Sequence, residues 1–271
     1  MRSRKFLALL LCLITGPALA GYMTLLGAGL GAIQPVAQSN FIQSSYSANL
    51  ADLNAVATFS RAGNAMQFDS SGYLTYGPNN LLTQSNTFSN AAWTKVNATI
   101  TSGVTDPLGG TNAFTVTATS ASAQVYQGVS FTGAGSVNFI QAVWVKRRTG
   151  SGTVAIYTPN GTTQTPIAVS GSWQLFYISG AGNGENIAYN TIWITTSGDA
   201  IDVYAATLSA VTYETTPRTQ DQVITTSAAY YGPRFDYNAN TLSPVGLLVE
   251  GSTTNTALQS GFASGWTQAG Q

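Results

Sequence analysis

The sequence of 271 residues contains no histidine and a single cysteine, Cys12. A disulfide within the chain needs two cysteines, structural zinc sites are built mainly from cysteine and histidine, and Ser-His-Asp triads need a histidine base. The composition therefore excludes an internal disulfide, a Cys/His zinc centre and a histidine-dependent nucleophilic site.

Charged residues are also scarce, at 7% of the chain, against about 25% in an average protein. Three of the ten basic residues, Arg2, Arg4 and Lys5, stand at the N-terminus, so seven basic and ten acidic residues remain beyond them. The one basic cluster, at 146–148, precedes a Gly-Ser-Gly turn and is typical of a solvated strand end. We therefore expect no nucleic-acid partner.

Apolar residues make up 44% of the chain, which is enough for one sizeable core. The polar remainder is rich in Ser, Thr, Asn, Gln and Gly rather than in Glu, Lys and Arg, which helices place on their solvent faces. This uncharged polar surface is typical of an extracellular or particle-surface β protein.

The N-terminus has the order of a secretory signal peptide. Its three basic residues precede an apolar run at 6–14, a Gly16-Pro17 break and an Ala18-Leu19-Ala20 cleavage site. Because the run is too short to span a bilayer, we expect cleavage after Ala20, secretion, and no stable membrane insertion afterwards. The alternative is a start at Met23, which would suit a virion protein without an export signal.

Two stretches of the chain repeat one pattern. The shared order is Asn, Gln-Ser, Phe and Trp-Thr, at Asn80, Gln84-Ser85, Phe88 and Trp93-Thr94, and again at Asn255, Gln259-Ser260, Phe262 and Trp266-Thr267. The copies begin 175 residues apart, a distance that fits one domain with its linker. We expect the second copy to be the truncated start of another module, because so short a segment cannot bury a core.

Strand signals dominate the middle of the chain. β-branched and aromatic residues are concentrated, between Gly-, Ser- or Asn-containing turns, at 96–100, 111–119, 124–129, 137–146, 153–157, 173–178, 191–195 and 201–208. No convincing amphipathic helix interrupts them. The pattern predicts an all-β fold, an antiparallel β-sandwich of the jelly-roll type.

These signals divide the chain into six parts. The predicted order is a signal peptide (1–20), a linker or attachment segment (21–57), a short β lead-in (58–79), the jelly-roll sandwich (80–216), a β-hairpin-like connector (217–254) and the truncated second sandwich (255–271).

Several short motifs resemble modules of phage and prophage structural proteins. They are Phe68-Asp-Ser-Ser-Gly-Tyr-Leu74, Gly232-Pro-Arg-Phe-Asp-Tyr237, Gly246-Leu-Leu-Val-Glu250 and the repeated Asn80 to Trp93 pattern. The resemblance implies a tail- or head-fibre-like protein with a jelly roll similar to carbohydrate-binding modules. It further implies other virion proteins as partners and carries over no catalytic residue.

The pattern of acidic residues in the sequence does not indicate an enzyme site. Those of the predicted sandwich are Asp106, Glu185, Asp199, Asp202 and Glu214. Only Asp202 lies in a predicted strand, whereas a glycosidase needs two carboxylates about 5–10 Å apart. We therefore expect no enzyme and no cofactor. The sequence leaves open a structural calcium ion, with Asp199 and Asp202 as its candidate ligands.

Aromatic residues are the remaining functional signal, because sugar rings stack on Trp and Tyr while nearby Asn and Gln bind hydroxyls. Alternation along the strands places four aromatic residues opposite apolar ones predicted to fill the sandwich, and these glycan-binding candidates are Tyr126, Trp144, Tyr157 and Trp193. The alternative is ordinary packing on a sheet face or between domains. Trp93 and Trp173 are expected to be core or edge anchors.

Two functions fit these observations. The first is a non-catalytic virion structural or adhesion protein whose sandwich acts as a spacer or binds surface glycans. The alternative is a secreted bacterial carbohydrate-binding module of a larger exported protein.

Overall fold

The structure is a computed structural model, and it describes residues 61–238 and 240–248. The predicted signal peptide (1–20), the segment 21–57 and the second copy (255–271) lie outside the described residues. Within the described ranges, no helix has the length and apolarity that crossing a membrane requires.

The described part of the chain consists almost entirely of short strands. They are β1 (Met66–Phe68), β2 (Leu74–Tyr76), β3 (Asn79–Asn80), β4 (Thr94–Val96), β5 (Ala98–Val104), β6 (Ala113–Ala118), β7 (Ala123–Ser130), β8 (Asn138–Thr149), β9 (Val154–Tyr157), β10 (Gln164–Ile167), β11 (Gln174–Ala181), β12 (Ile187–Ile194), β13 (Ala200–Val211), β14 (Tyr230–Tyr231), β15 (Phe235–Tyr237) and β16 (Pro244–Leu247). Two single 3-10 turns, Ala134–Ser136 and Thr219–Asp221, complete the set.

Ten of these strands form two antiparallel five-stranded sheets. The front sheet has the order β10-β9-β12-β7-β4, and the back sheet has the order β11-β8-β13-β6-β5. Eight of them have the order β7-β12-β9-β10 in the front sheet and β6-β13-β8-β11 in the back sheet, which is the strand order of a jelly roll. The predicted antiparallel β-sandwich is therefore confirmed, and β4 and β5 add one edge strand to each sheet.

The core lies between the two sheets and follows the alternation of the sequence. The apolar residues predicted to fill it are all at most 1% exposed: Val125, Val143, Ile156 and Ile194. Phe88 and Trp93 are buried as well, with ring centroids 4.7 Å apart. Burying a side chain of this size stabilises the fold by roughly 1.5–3 kcal/mol, so this layer supplies most of the driving force for folding.

The strand predicted at 96–100 is in fact two strands. The chain turns at Asn97, whose φ is 51°, so that β4 joins the front sheet and β5 the back sheet. Asparagine adopts this left-handed conformation more readily than most residues. The turn also changes the side that faces the core: Val96 on β4 is exposed, whereas Ala98 and Ile100 on β5 pack against the core.

The segments flanking the sandwich meet on one side of it. β14 pairs with β3, with Tyr231 opposite Asn79, and the Phe235 N–H donates to Oε1 of Gln67 at 3.0 Å. β1 and β2 form one hairpin, and β15 and β16 form another. Part of the predicted connector (217–254) thus packs against residues of the lead-in.

Candidate functional site

Three of the four predicted glycan-binding residues lie together on the outer face of the front sheet. Tyr126 is on β7, Tyr157 on β9 and Trp193 on β12, each half-buried and each on the opposite side of its strand from the core residues. A fourth ring, that of Tyr189 on β12, shares this surface. We call these four residues the aromatic face.

Strand register places the rings close together. Tyr126 is opposite Thr191 across the β7–β12 ladder, and Trp193 follows Thr191 by two residues on the same side of β12. Residues two apart on one face of a strand are separated by about 6.8 Å, and neighbouring strands by about 4.8 Å. The rings therefore cover a continuous area rather than isolated points.

Two glycines leave room for the Tyr189 ring. A Cβ added at Gly128 would lie 2.8 Å from Cε1 of Tyr189, and one at Gly161 would lie 3.1 Å from its Cδ2. With this space the ring meets Tyr126 edge-on, with centroids 6.2 Å apart. Tyr189 is not among the predicted residues, because the strand predicted from the sequence begins only at residue 191; β12 begins at Ile187, and the same alternation continues through Tyr189.

Polar groups stand beside the rings. Nε2 of Gln164 donates to the hydroxyl of Tyr157 at 2.6 Å, and Gln124 lies opposite Trp193 across the ladder. Within the described strands of the front sheet, the positions on this outer face carry no Asp, Glu, Lys or Arg. The arrangement suits a neutral ligand with one apolar and one hydroxylated side.

The fourth predicted residue, Trp144, lies on the opposite side of the molecule. It is half-buried on the outer face of the back sheet, on β8, and packs with Trp173 and Tyr204. A cleft of about 630 Å³ opens above these rings. We call it the tryptophan cleft. The structure thus separates Trp144 from Tyr126, Tyr157 and Trp193.

One wall of the tryptophan cleft is a loop organised by Asp106. Its carboxylate accepts hydrogen bonds from the backbone N–H groups of Leu108, Gly110 and Asn112 at 2.8, 3.1 and 3.2 Å. Loss of water contact opposes ionisation, but the hydrogen bonds from Asn112, Leu108 and Gly110 outweigh it and hold the pKa of the Asp106 carboxyl below its ordinary value. Burial, and then the charge of Asp106, raise the pKa of the Tyr204 hydroxyl.

The two calcium candidates are engaged by groups of the chain itself. Asp202, 1% exposed, contacts Nζ of Lys146 at 3.3 Å and Nε of Arg148 at 2.7 Å. Asp199 contacts Nη1 of Arg147 at 3.4 Å and accepts a hydrogen bond from the Gly152 N–H at 2.7 Å. Among the described residues, no group of three or more Asp, Glu, His or Cys side chains is placed to hold a metal ion.

Comparison with known proteins gives similar folds but no family. No family model matches the chain, and no curated protein matches it.

Among solved structures, the enzymatically active domain of a bacteriophage CBA120 tailspike protein is similar at 15% identity and a TM-score of 0.37, over 49% of this chain and 21% of that one. The CBM22-1–GH10 modules of a Clostridium thermocellum xylanase match at 17% identity and a TM-score of 0.36, over 52% of this chain and 29% of that one. The CBM22-1 xylan-binding domain of Paenibacillus barcinonensis Xyn10C matches at 13% identity and a TM-score of 0.36, over 57% of this chain and all of the domain. The chain therefore spans less than a third of the tailspike and xylanase structures.

Proposed function

We propose that the sandwich is a non-catalytic glycan-binding module, and that the aromatic face is its ligand-binding surface. The observation that carries this proposal is the placement of Tyr126, Tyr157, Tyr189 and Trp193 on one outer sheet face. A pyranose ring presents C–H groups to an aromatic ring and hydroxyls at its edge. The indole and phenol rings would stack on the C–H groups, and Gln124 and Gln164 would bind the hydroxyls.

The geometry favours an extended glycan over a single sugar. Tyr189 and Trp193 lie four residues apart on β12, which is about 13 Å along a strand. A surface of this length accommodates consecutive sugar residues of one chain. The lack of charged side chains at the described positions of this face favours a neutral polysaccharide.

We further propose that the module belongs to a virion surface protein that adheres to a glycan-coated cell. The phage-like motifs, the repeated Asn80 to Trp93 pattern and the uncharged polar composition support this role. The alternative is a secreted carbohydrate-binding module of a larger bacterial protein, which the signal-like N-terminus supports. Neighbouring tail and capsid genes would favour the first, and neighbouring sugar-utilisation genes the second.

A glycan array with the full chain tests the binding proposal. Trp193→Ala and Tyr126→Ala should each weaken binding to the glycan found by about two- to tenfold, since a stacked ring contributes about 0.5–1.5 kcal/mol. Tyr177→Ala, at a tyrosine 44% exposed on β11 of the back sheet, is the matched control and should bind as the wild type does.

Two results would contradict the proposal. If no glycan binds, the sandwich is a spacer. If a glycan binds but Trp193→Ala and Tyr126→Ala retain full affinity while keeping the wild-type circular-dichroism spectrum, the ligand lies elsewhere.

A further inference from the structure

The outside of the back sheet carries a small apolar cluster separate from the main core. Tyr204, Val104 and Ala113 are buried in it, and Trp144 and Trp173 pack against it from the solvent side. Outer sheet faces that meet water normally carry polar residues. With two indole rings above this cluster, this part of the outer sheet face is apolar.

The shape of the tryptophan cleft comes from a bulge in β13. Register shifts between Tyr204 and Thr207, and Ala205 adopts a φ of 46°. The Ala205 N–H donates to Oδ1 of Asn86 at 2.8 Å, which fixes the bulge from the other side. Bulges redirect neighbouring side chains, and here Tyr204 and Ala205 both line the floor.

Both walls of the cleft are fixed, and both expose an apolar side chain. Leu108 is 83% exposed at the tip of the loop that Asp106 holds, and Ile224 is 46% exposed on the other wall. The next residue, Thr225, donates from its N–H to Oγ of Ser85 at 2.8 Å, which anchors the backbone beside Ile224. Rigid walls reduce the entropy that binding would cost.

The polar groups of the cleft are few and neutral. Thr219 and Gln222 line one side, and no charged residue lines it in the described part of the chain. Lys146 stays outside, with Nζ 5.0 Å from the centroid of the Trp173 ring, where a cation–π contact steadies that ring. The ligand should therefore be uncharged and need few hydrogen bonds.

The cleft has too few lining residues for a stable protein–protein interface, which uses about 20–30 residues on each side. Its volume of about 630 Å³ lies in the range of roughly 300–1,000 Å³ that is typical of small-ligand sites.

We propose that the tryptophan cleft is a second ligand site, for a pyranose that carries a methyl group, as 6-deoxyhexoses do. The C–H face of the sugar stacks on Trp144 and Trp173. Gln222 and Thr219 bind its hydroxyls. The methyl group contacts Leu108 and Ile224. A hydroxymethyl group in the same place would lose the hydrogen bonds between its hydroxyl and water. This site does not depend on the aromatic face.

Titration of the full chain with matched sugars tests the proposal. Methyl α-L-fucoside and methyl α-L-rhamnoside differ from the corresponding L-galactose and L-mannose glycosides only in lacking the hydroxyl at C6. We expect at least one 6-deoxy sugar to bind about fourfold or more tightly than its hydroxylated counterpart, as removal of one apolar group from water implies. In saturation-transfer NMR, its methyl protons should receive the strongest signal.

Variants locate the site and separate it from the aromatic face. Trp144→Ala should abolish binding of the 6-deoxy sugar, and Leu108→Ser should remove its advantage over the hydroxylated sugar. Leu74→Ser, at a leucine 48% exposed on β2, is the matched control, and Trp193→Ala should leave this binding unchanged. The proposal is overturned if neither 6-deoxy sugar binds, if the C6 hydroxyl makes no difference, or if Trp144→Ala binds normally.

Discussion

The side chain of Asn80 forms hydrogen bonds with the backbone of β13 at Leu208, where a neighbouring strand would otherwise pair. Its Oδ1 accepts a hydrogen bond from the Leu208 N–H at 3.2 Å, and the Leu208 carbonyl accepts one from the Leu81 N–H at 2.8 Å. On the other side, Nδ2 of Asn80 donates to the carbonyls of Ala206 and Val223 at 3.2 and 2.8 Å. A primary amide carries the same donor and acceptor as a peptide group, so one side chain joins three backbone segments.

These hydrogen bonds give Asn80 a structural role at the edge of β13. β13 pairs with β6 only from Ala200 to Val203, and beyond the bulge its edge would be unpaired without the segment around Asn80. The preceding residue acts in the same way, because Oδ1 of Asn79 accepts from the Ala210 N–H at 2.8 Å.

We expect Asn80→Ala to lower the free energy of unfolding by about 2–4 kcal/mol. The variant leaves the Leu208 N–H and the carbonyls of Ala206 and Val223 without their partner in a buried place, and each unpaired group costs about 1–3 kcal/mol before relaxation. Urea denaturation followed by fluorescence measures the change. Asn240→Ala, at an exposed asparagine, is the control. A change below 0.5 kcal/mol in Asn80→Ala would show that water replaces the amide.

The side-chain amide of Gln141 also forms hydrogen bonds with backbone groups, in this case between the two sheets. From β8 of the back sheet, its Oε1 accepts a hydrogen bond from the Thr191 N–H at 2.7 Å and its Nε2 donates to the Tyr157 carbonyl. The side chain is 1% exposed and lies between β9 and β12, whose own pairing extends only from Ile156 to Val154. It therefore connects the core to the strands that carry the aromatic face.

Gln141→Leu keeps the volume but removes both hydrogen bonds, so we expect a loss of about 2–3 kcal/mol in stability. Glycan affinity at the aromatic face should also fall, because Tyr157 loses a support of its backbone. Calorimetry gives the first quantity, and titration with the array-selected glycan gives the second. Gln174→Leu, at an exposed glutamine on β11, is the control. Unchanged affinity in a destabilised Gln141→Leu variant would show that Tyr157 is held by its other contacts.

Gly128→Ala tests whether the position of the Tyr189 ring matters. The added Cβ would lie 2.8 Å from Cε1 of that ring, so the ring must move. The strand itself should tolerate the change, since alanine loses less backbone entropy than glycine. We expect a change in stability within about 1 kcal/mol, together with at least a fivefold loss of glycan affinity. Gly171→Ala, where a Cβ would meet no atom within 4 Å, is the control.

Alternation predicts that Tyr126 and Trp144 face outward, but not which sheet carries each of them. The pairs Val125–Tyr126 and Val143–Trp144 each have the apolar residue inside and the aromatic residue outside, as predicted. Period-2 patterning is the same in both sheets of a sandwich, so it could not separate Tyr126 from Trp144. That separation depends on strand order, which is set by contacts between residues far apart in sequence.

No local pattern in the sequence predicts the tryptophan cleft. Leu108 and Ile224 are 116 residues apart in the sequence, and neither lies in a strand. The floor depends on the Ala205 bulge, which forms because Asn86 binds its N–H from 119 residues away. Asp106 holds a local turn by hydrogen bonds to the N–H groups of Leu108 and Gly110, but the wall that this turn supports is formed only in the folded chain.

The Asp106 carboxylate makes the wall of the tryptophan cleft sensitive to acid. Because its pKa in the folded chain is lowered below the unfolded value of about 3.9, its ionised form stabilises the fold. That contribution is fully present above the unfolded pKa and is lost as the pH falls through the folded pKa. Protonation removes the negative charge of the carboxylate and so weakens the hydrogen bonds from the N–H groups of Leu108 and Gly110. The loop should therefore loosen, and 6-deoxy sugar affinity should fall.

The comparison of wild type with Asp106→Asn measures this effect. The stability advantage of the wild type should be largest above about pH 5 and should shrink steadily as the pH approaches 3. Glu185→Gln, at an exposed loop carboxylate, is the control for the change in charge. Sugar affinity at the cleft should follow the same pH course in the wild type and be weak at every pH in Asp106→Asn. A stability difference that stays constant from pH 7 to pH 3 would mean that Asp106 organises the loop without regard to its charge.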